Sequence, residues 1–279
     1  MMAKKKVMAV LKVILLIILL LIALFPIYWL VGLSIRPMEE MKGHISLIPH
    51  SITFNHFVTL FTEKNFGVAL GNSVKTTLIS TALALVIGLC TAYVLARRRF
   101  QFVLKRPLSF WVMLIRILPP VAFTIPLYIM FAKTGVLNTI TPVVMACILI
   151  NITFIIWYMI SFFQGLPEEI EDSARIDGAT EWQMFVKIVL PLVAPGIAAV
   201  AMLSFLYAWN EYTYSVIFVQ QASNYTIPLA LATLNTEDNL TNFGLTAAGG
   251  VISVIPIMLF VIFAQNYLIA GLSSGAVKD

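Results

Sequence analysis

Residues 13–33 read VILLIILLLIALFPIYWLVGL, a run of 21 residues without a charged side chain. As an α-helix this run is about 31 Å long, at about 1.5 Å per residue, which matches the hydrocarbon core of a bilayer. A cleaved signal peptide is the alternative, but its apolar region usually has about 7–15 residues. No small-x-small cleavage site follows the run either. The stretch therefore predicts an uncleaved membrane span.

The composition of the whole chain is that of a membrane protein. Hydrophobic residues make up 60% of the 279 residues and charged residues 11%, whereas soluble domains have about 25% charged residues. Cys90 and Cys147 lie in apolar stretches, so we interpret them as packing residues rather than as a disulfide framework. His44, His50 and His56 lie in one polar loop. A metal site there is conceivable, but histidines without thiol or carboxylate neighbours are more often solvated, and we predict no metal site.

Six stretches are long and apolar enough to cross a bilayer as helices. No linker, repeat or low-complexity tract separates them, so residues 1–279 are predicted to form a single, all-α transmembrane domain. The predicted spans are residues 13–33, 76–96, 107–132, 141–163, 191–219 and 245–272.

The basic residues of the loops predict the orientation of the spans. One side of the membrane holds most of them, namely Lys4, Lys5, Lys6, Lys12, Arg97, Arg98, Arg99, Lys105, Arg106, Arg175, Lys187 and Lys278. The other side holds only Arg36, Lys42, Lys64 and Lys133. By the positive-inside rule the first side is cytoplasmic, so both termini and the segment 164–190 are expected there. The net charge of +5 reflects this bias and gives no support for nucleic-acid binding.

A charged segment interrupts the apolar chain at residues 168–191, EEIEDSARIDGATEWQMFVKIVLP. Its acidic start favours a helix N-terminus, and Gly178 is typical of a helix C-terminus. Thr180 and Gln183 have the spacing of a capping box. We therefore predict two short helices joined at Gly178, the second of them broken at Pro191. The alternative is an amphipathic hairpin that only lies on the membrane surface.

The same segment resembles the EAA signature of binding-protein-dependent ABC importer permeases. That signature is Glu-Ala-Ala, three residues, Gly, nine residues and Ile-x-Leu-Pro, and the spacing matches throughout residues 172–191. Two positions depart from it, with Asp172 in place of Glu and Ser173 in place of the first Ala. Both substitutions keep the charge or the small size, so the resemblance stands.

Short motifs elsewhere in the chain are similar to the carbohydrate-uptake, maltose-type subfamily. Each motif is weak alone, but their order and spacing together are specific. In chain order they are Asn72-Ser73, Ala92-Tyr93-x-Leu95-Ala96-Arg97, Ile125-Pro126-Leu127-Tyr128, Trp209-Asn210-Glu211 and Gly271-Leu272-x-x-Gly275-Ala276-Val277-Lys278.

The resemblance implies that residues 164–190 are a coupling segment that docks on an ATP-binding subunit and transmits rigid-body motion into the membrane. The tail of the maltose-type subunits reaches the ATPases, which implies the same contact here for Gly275, Val277 and Lys278. The residues expected to couple to the ATPase are Glu168, Glu169, Glu171, Asp172, Ser173, Ala174, Asp177 and Gly178.

The resemblance also implies the partners and the location. A second homologous permease, two ATP-binding subunits and an extracytoplasmic sugar-binding protein are expected, in the bacterial cytoplasmic (inner) membrane. No G-x-x-x-x-G-K-[ST] motif occurs, because the sequence has no Gly-Lys pair. We therefore predict that the chain is not an enzyme, with no catalytic residue and no bound cofactor, and that ATP and Mg²⁺ bind the partner subunits.

Two alternatives stay open for the cargo and the class of transporter. The same machinery importing another solute, such as glycerol phosphate, is the first. A self-sufficient secondary transporter is the second, although it would need ion sites at mid-membrane and often has inverted repeats, which we do not find. The sequence does not identify the sugar.

Five residues in the predicted spans are candidates for the translocation path. Arg116 and Glu211 are deep charges, which usually face the bundle interior or a wet cavity, and a buried ion pair is the alternative for Arg116. Trp209 and Asn210 precede Glu211, and together they would suit a sugar, although aromatic residues also anchor helices at membrane interfaces. Asn151 is a weaker candidate, since such residues more often bond helices to each other.

Overall fold

The computed structural model describes residues 2–41, 45–234 and 242–276. The secondary structure of these residues consists of helices, with no strand among them, which confirms the all-α prediction. The helices are α1 (Met2–Ser34), α2 (Asn55–Thr62), α3 (Phe66–Ala96), α4 (Lys105–Ile117), α5 (Thr124–Thr134), α6 (Thr141–Gln164), α7 (Glu168–Ile176), α8 (Glu181–Met184), α9 (Leu190–Leu192), α10 (Ala194–Trp209), α11 (Thr213–Phe218), α12 (Ile227–Thr233) and α13 (Phe243–Ala276).

Up to six parts of the described chain can cross a membrane. Four are unbroken helical stretches, Met8–Ser34, Phe66–Ala96, Thr141–Gln164 and Phe243–Ile262. Two more arise if each bent helix pair is one span, and these pairs are Lys105–Ile117 with Pro120–Thr134 and Glu181–Leu192 with Ala194–Phe218. These parts overlap the six predicted spans, so the chain is an all-α membrane protein.

The structure corrects the third predicted span, residues 107–132, which is not one continuous helix. Helix α4 ends at Ile117, and the chain turns by 110° before the next helical segment starts at Pro120. A residue before proline is pushed out of the helical region and into extended backbone. Leu118 and Pro119, each followed by a proline, accordingly have ψ of 134° and 140°.

The fifth predicted span, residues 191–219, also needs correction, because Pro191 does not break the helix. A π-helical turn over Phe185–Val189 leads into α9, and Pro191 lies in the first turn of α9, where its missing N–H is tolerated. The break comes at Val193, with a bend of 80°. The chain leaves the helix again between α10 and α11, so the predicted span consists of several pieces.

Helix α3 begins at Phe66, ahead of the predicted start of the second span at residue 76. Its first turns contain polar residues that the tertiary structure satisfies. The side-chain amide of Asn72 donates to the carbonyls of Ser223 at 3.0 Å and Tyr225 at 3.1 Å, and the Ser73 hydroxyl accepts the Ile227 N–H at 2.7 Å. Hydropathy along the chain does not detect hydrogen-bond partners that are distant in sequence. The predicted second span therefore starts later than helix α3 does.

The described residues belong to two compact units, Met1–Gly67 with Leu231–Ile255, and Val68–Ala230 with Pro256–Asp279. The single-domain organisation of residues 1–279 stays a prediction. In the first unit two of the loop histidines bond within the protein, because His56 Nε2 lies 2.8 Å from the Arg36 carbonyl and His50 Nδ1 lies 2.7 Å from Glu40, while His44 lies outside the described residues. The backbone N–H of His50 also donates to Glu40 and holds the pKa of that carboxyl below its usual range.

The core of the second unit is built around α3, α6 and α10, which cross at small residues. Gly88 of α3 lies against Ile155 of α6, where an added Cβ would be 2.7 Å from the Ile155 Cγ2. Gly196 of α10 lies in the same way against the ring of Phe162. Small residues let membrane helices approach closely and pack well. Helix α6 therefore packs against α3 and α10 at glycine contacts.

Candidate functional site

The charged segment forms a compact helical hairpin, residues 168–184. Helix α7 ends at Ile176, and Gly178 follows with a φ of 83°, in the left-handed region that favours glycine. Thr180 then caps α8, since its hydroxyl accepts the Gln183 N–H at 3.2 Å and its own N–H donates to the Gln183 side chain at 2.9 Å. The predicted pair of short helices joined at Gly178, with its capping box, is present.

The inner face of the hairpin holds a buried cluster of charges. Glu171 and Arg97 are each only 2% exposed, with Arg97 Nη2 2.5 Å from Glu171 Oε1. Arg99 Nη1 donates to Glu171 Oε2 at 2.5 Å, and the Tyr93 hydroxyl donates to the same oxygen at 3.0 Å. We call these four residues, Tyr93, Arg97, Arg99 and Glu171, the anchor.

The anchor joins the hairpin to the end of α3. Arg97, the residue after α3, also donates through Nη1 to the Leu166 carbonyl at 3.1 Å, just before α7. Arg99 reaches α8 as well, because its Nη2 donates to Glu181 Oε2 at 2.6 Å. Arg99 thus bonds both short helices, whereas Arg97 bonds α7 and the segment just before it.

The Tyr93 ring of the anchor packs against two other aromatic rings. The Tyr93 ring lies 4.8 Å from that of Phe185 and 5.6 Å from that of Phe163, measured between centroids. An ion pair of this kind adds little net stability, because burial of the charges offsets their attraction, but loss of one partner costs about 3–5 kcal/mol. The anchor therefore contributes little net stability, although removal of one charged partner would be costly.

The outer face of the hairpin is acidic and carries two exposed apolar side chains. Ile176 is 87% exposed and Trp182 is 66% exposed, one on each side of Gly178. Arg175 pairs with Asp172 at 2.8 Å and with Glu181 at 3.3 Å, so the outer charges are also ordered. Exposed large apolar side chains beside a polar rim are typical of a surface that binds another protein.

The predicted coupling residues separate into two groups in the structure. Six of them are exposed, namely Glu168, Glu169, Asp172, Ser173, Asp177 and Gly178. The other two lie on the inner face, where the Glu171 carboxylate is bound by two arginines and Ala174, 7% exposed, packs in the core; their part in coupling stays a prediction. Neither side chain lies on the outer face, so neither presents a contact surface to a partner.

Sequence reasoning missed the exposed Ile176 and Trp182 and did not connect the arginines to Glu171. The spacing of Glu171 and Ala174, three residues apart on α7, is the signal that could have identified the inner face. In the predicted tail, Gly275 belongs to α13. Val277 and Lys278 lie outside the described residues.

The structure brings two of the predicted path residues together. Arg116 and Asn151 line a cavity of about 240 Å³ with Ile150, Phe154, Leu203 and Tyr207. The Arg116 guanidinium lies 5.0 Å from the ring centroid of Phe154 and 5.3 Å from that of Trp157, which are cation–π distances. Within the described part of the chain Arg116 has no ion pair, and Asn151 bonds the Ser204 carbonyl at 3.3 Å.

The other three path candidates do not form one surface. Trp209 is 2% exposed and stacks on Phe205, and the exposed Asn210 donates to its own helix at the Leu206 carbonyl. Glu211, 6% exposed, lies in the break between α10 and α11. Its carboxyl accepts the backbone N–H of Tyr214 at 2.5 Å and both the N–H and the hydroxyl of Ser215, at 3.1 and 2.9 Å. Glu211 therefore caps α11, and its place on the translocation path stays a prediction.

Replacement of Glu211 should destabilise the protein rather than weaken cargo binding. Glu211→Ala leaves two buried N–H groups without an acceptor, and we expect a loss of about 1–3 kcal/mol in the free energy of unfolding. The measurement is thermal unfolding in detergent, with the exposed Asn210→Ala as control. Unchanged unfolding together with weaker cargo affinity would contradict the capping role.

Comparison with known proteins identifies the family. The profile of the family described as "Binding-protein-dependent transport system inner membrane component" matches residues 84–274. The trehalose transport system permease protein SugB of Mycobacterium tuberculosis is 34% identical over 257 residues, which cover 92% of this chain and 93% of that protein. The arabinooligosaccharides transport system permease protein AraQ of Halalkalibacterium halodurans is 35% identical, with 92% of each chain covered.

Solved structures share the fold. The crystal structure of a bacterial ABC transporter involved in the import of the acidic polysaccharide alginate contains a chain that matches with a TM-score of 0.76 at 21% identity, over 95% of this chain and 98% of that one. Relatives and structures thus match over almost the full length. This chain belongs to the family of binding-protein-dependent transport system inner membrane components, the permeases of ABC importers.

Proposed function

We propose that this permease imports a carbohydrate delivered by an extracytoplasmic binding protein, and that its hairpin couples the movement to ATP hydrolysis on separate subunits. The names of similar permeases support a carbohydrate, since they specify trehalose, arabinooligosaccharides and, for a relative in Streptomyces coelicolor that is 31% identical over 91% of this chain, diacetylchitobiose. A bacterial alginate ABC transporter with a similar fold was crystallised in complex with a periplasmic protein that holds an alginate pentasaccharide. The cargo test is a panel of sugars and glycerol phosphate against the binding protein that co-purifies.

The hairpin is the observation on which the coupling role rests. Its inner face is held to α3 and its outer face carries the exposed Ile176 and Trp182 among acidic side chains. A rigid element with an unpartnered apolar and acidic surface fits a docking contact with a soluble subunit, because exposed apolar area is stabilised when a partner covers it. The partner that we propose is the ATP-binding subunit.

The remaining parts of the assembly follow from this role. A second homologous permease would complete the membrane part, and the apolar side chains of Met8–Ser34, which are mostly exposed in this chain, would face it or lipid. Two ATP-binding subunits would hold ATP and Mg²⁺, with no cofactor on this chain. The distribution of basic residues supports cytoplasmic termini and a cytoplasmic hairpin, in a chain that acts as a single domain.

The purified chain alone should have no ATPase activity, because it lacks the loop that cradles phosphates. Hydrolysis should appear only after reconstitution with the ATP-binding subunits, and it should increase when the sugar-loaded binding protein is added. Phosphate release from proteoliposomes measures both. Hydrolysis by the chain after every contaminating ATPase has been removed would refute the assignment.

A further inference from the structure

We propose that the Glu171–Arg97 pair of the anchor transmits the movement of the hairpin to α3, and that Arg97, Arg99 and Glu171 are positioning residues for coupling. The proposal rests on the proposed coupling role of the hairpin. It identifies the side chains that connect the hairpin to the membrane helices.

The connection between hairpin and α3 is short and has its charges in the interior. Arg97 directly follows the last residue of α3, and its guanidinium contacts both Glu171 in α7 and the Leu166 carbonyl before α7. Both charged side chains are 2% exposed, so water screens their attraction little. A pull on α7 therefore reaches α3 through the Arg97–Glu171 ion pair, the Arg97–Leu166 hydrogen bond and the direct hydrogen bond from Tyr93 to Glu171.

Arg99 has a different role from Arg97, because it links the two short helices of the hairpin to each other. Its guanidinium bonds Glu171 in α7 and Glu181 in α8, with oxygen distances of 2.5 and 2.6 Å. It also lies 4.8 Å from the ring centroid of Phe100. The two short helices on either side of Gly178 are thus expected to move together.

The Arg97–Glu171 contact depends on charge more than on hydrogen-bond geometry. Its atoms are 2.5 Å apart, yet Arg97 Nη2 and Glu171 Oε1 form no well-aligned hydrogen bond, whereas the Arg99 contact is aligned. Glutamine has the shape of glutamate without its charge, so Glu171→Gln removes the attraction and leaves the shape. The apolar contacts of Ala174, Met184 and Phe185 in the core remain to hold the hairpin folded.

The expected consequence is uncoupling rather than loss of assembly. In Glu171→Gln the hairpin should still seat on the ATP-binding subunit, but its movement should no longer displace α3 fully. ATP hydrolysis stimulated by the loaded binding protein should then persist while sugar uptake falls. A purely structural role would lower the amount of complex, and with it hydrolysis and uptake in the same proportion.

The experiment uses the complete transporter in proteoliposomes and measures sugar uptake and stimulated ATP hydrolysis on the same sample. We expect the ratio of uptake to hydrolysis to fall by roughly ten-fold or more in Glu171→Gln, which corresponds to a loss of about 1.4 kcal/mol or more of coupling free energy. Glu63→Gln, an exposed glutamate outside the hairpin, is the matched control and should keep the ratio of the unmodified protein. Equal ratios in the two variants would overturn the proposal.

A double variant adds a second test. If Glu171 and Arg97 act as one unit, Arg97→Gln should reproduce the ratio of Glu171→Gln, and the two changes together should be no worse than either alone. Additive losses would overturn the pairwise linkage.

If Glu171→Gln does not assemble, a comparison of Arg97→Lys with Arg97→Gln tests the same dependence, because lysine keeps the positive charge and glutamine does not. A higher ratio of uptake to hydrolysis in Arg97→Lys than in Arg97→Gln supports the proposal, and equal ratios in these two variants overturn it.

These outcomes separate the inference from the proposed function. If disruption of the hairpin at Gly178 leaves ATPase binding and uptake intact, the coupling role itself is refuted. If disruption at Gly178 stops uptake while Glu171→Gln behaves like Glu63→Gln, the coupling role stands and only the linkage through the anchor is refuted.

Discussion

Gly178→Val should strongly reduce sugar uptake while the protein still inserts in the membrane at its normal level. Gly178 has a φ of 83°, and a β-branched side chain resists this conformation by roughly 1–2 kcal/mol. No other atom lies within 4 Å of an added Cβ, so the strain is in the backbone and not in a clash. The chain is expected to relax by changing the angle between α7 and α8.

A change in that angle moves the docking surface on both sides of the hinge. Ile176 and Trp182 lie on opposite sides of Gly178, so they cannot both keep their positions against a partner. Misplacement of functional groups by about 1 Å costs on the order of 100-fold in enzymes, and we expect a loss of uptake of roughly 10–100-fold. The measurement is uptake in proteoliposomes together with co-purification of the ATP-binding subunit.

Gly135 offers a control with the same backbone strain. It ends α5 with a φ of 70°, and an added Cβ there also meets no atom within 4 Å. Gly135→Val should therefore carry a similar conformational cost without a change in the hairpin, and uptake should stay near that of the unmodified protein. If Gly178→Val transports as well as Gly135→Val, with the ATP-binding subunit bound, the hairpin is only a connector.

Gly88→Val should destabilise the membrane part more than any change on its surface. An added Cβ would lie 2.7 Å from the Cγ2 and 2.9 Å from the Cβ of Ile155, which is fully buried. Ile155 is β-branched and has few rotamers into which it can retreat, so α3 and α6 must separate. Overpacking of this kind costs about 1–3 kcal/mol, and the extra methyl groups of valine place the effect at the upper end.

Thermal unfolding in detergent measures this effect, with Gly71→Ala as control. Gly71 lies on the same helix with no atom within 4 Å of an added Cβ, so alanine there should leave stability unchanged or raise it by up to about 1 kcal/mol. Truncation of the opposing side chain provides a further test, because Ile155→Ala should recover part of the stability of Gly88→Val. A thermal unfolding midpoint for Gly88→Val equal to that of Gly71→Ala would contradict the close crossing of α3 and α6.

The features that sequence alone establishes here are those that depend on neighbouring residues. The six apolar regions follow from hydropathy, because a helix in lipid satisfies its backbone internally. The left-handed Gly178 and the Thr180–Gln183 capping box follow from the conformational freedom of glycine and from hydrogen bonds three residues apart. The EAA-like spacing also lies within one short segment, and the comparison with known proteins confirms the permease family that it indicated.

Which charged residues face inward was decided by tertiary packing alone. Glu171 and Asp172 are adjacent acids on the same short helix, yet the first is 2% exposed and the second is exposed on the outer face. The difference arises because Arg97, more than seventy positions earlier in the chain, comes to lie against one face of α7. Local pattern shows that a helix carries charge; only the packing of distant segments determines which charge finds a buried partner.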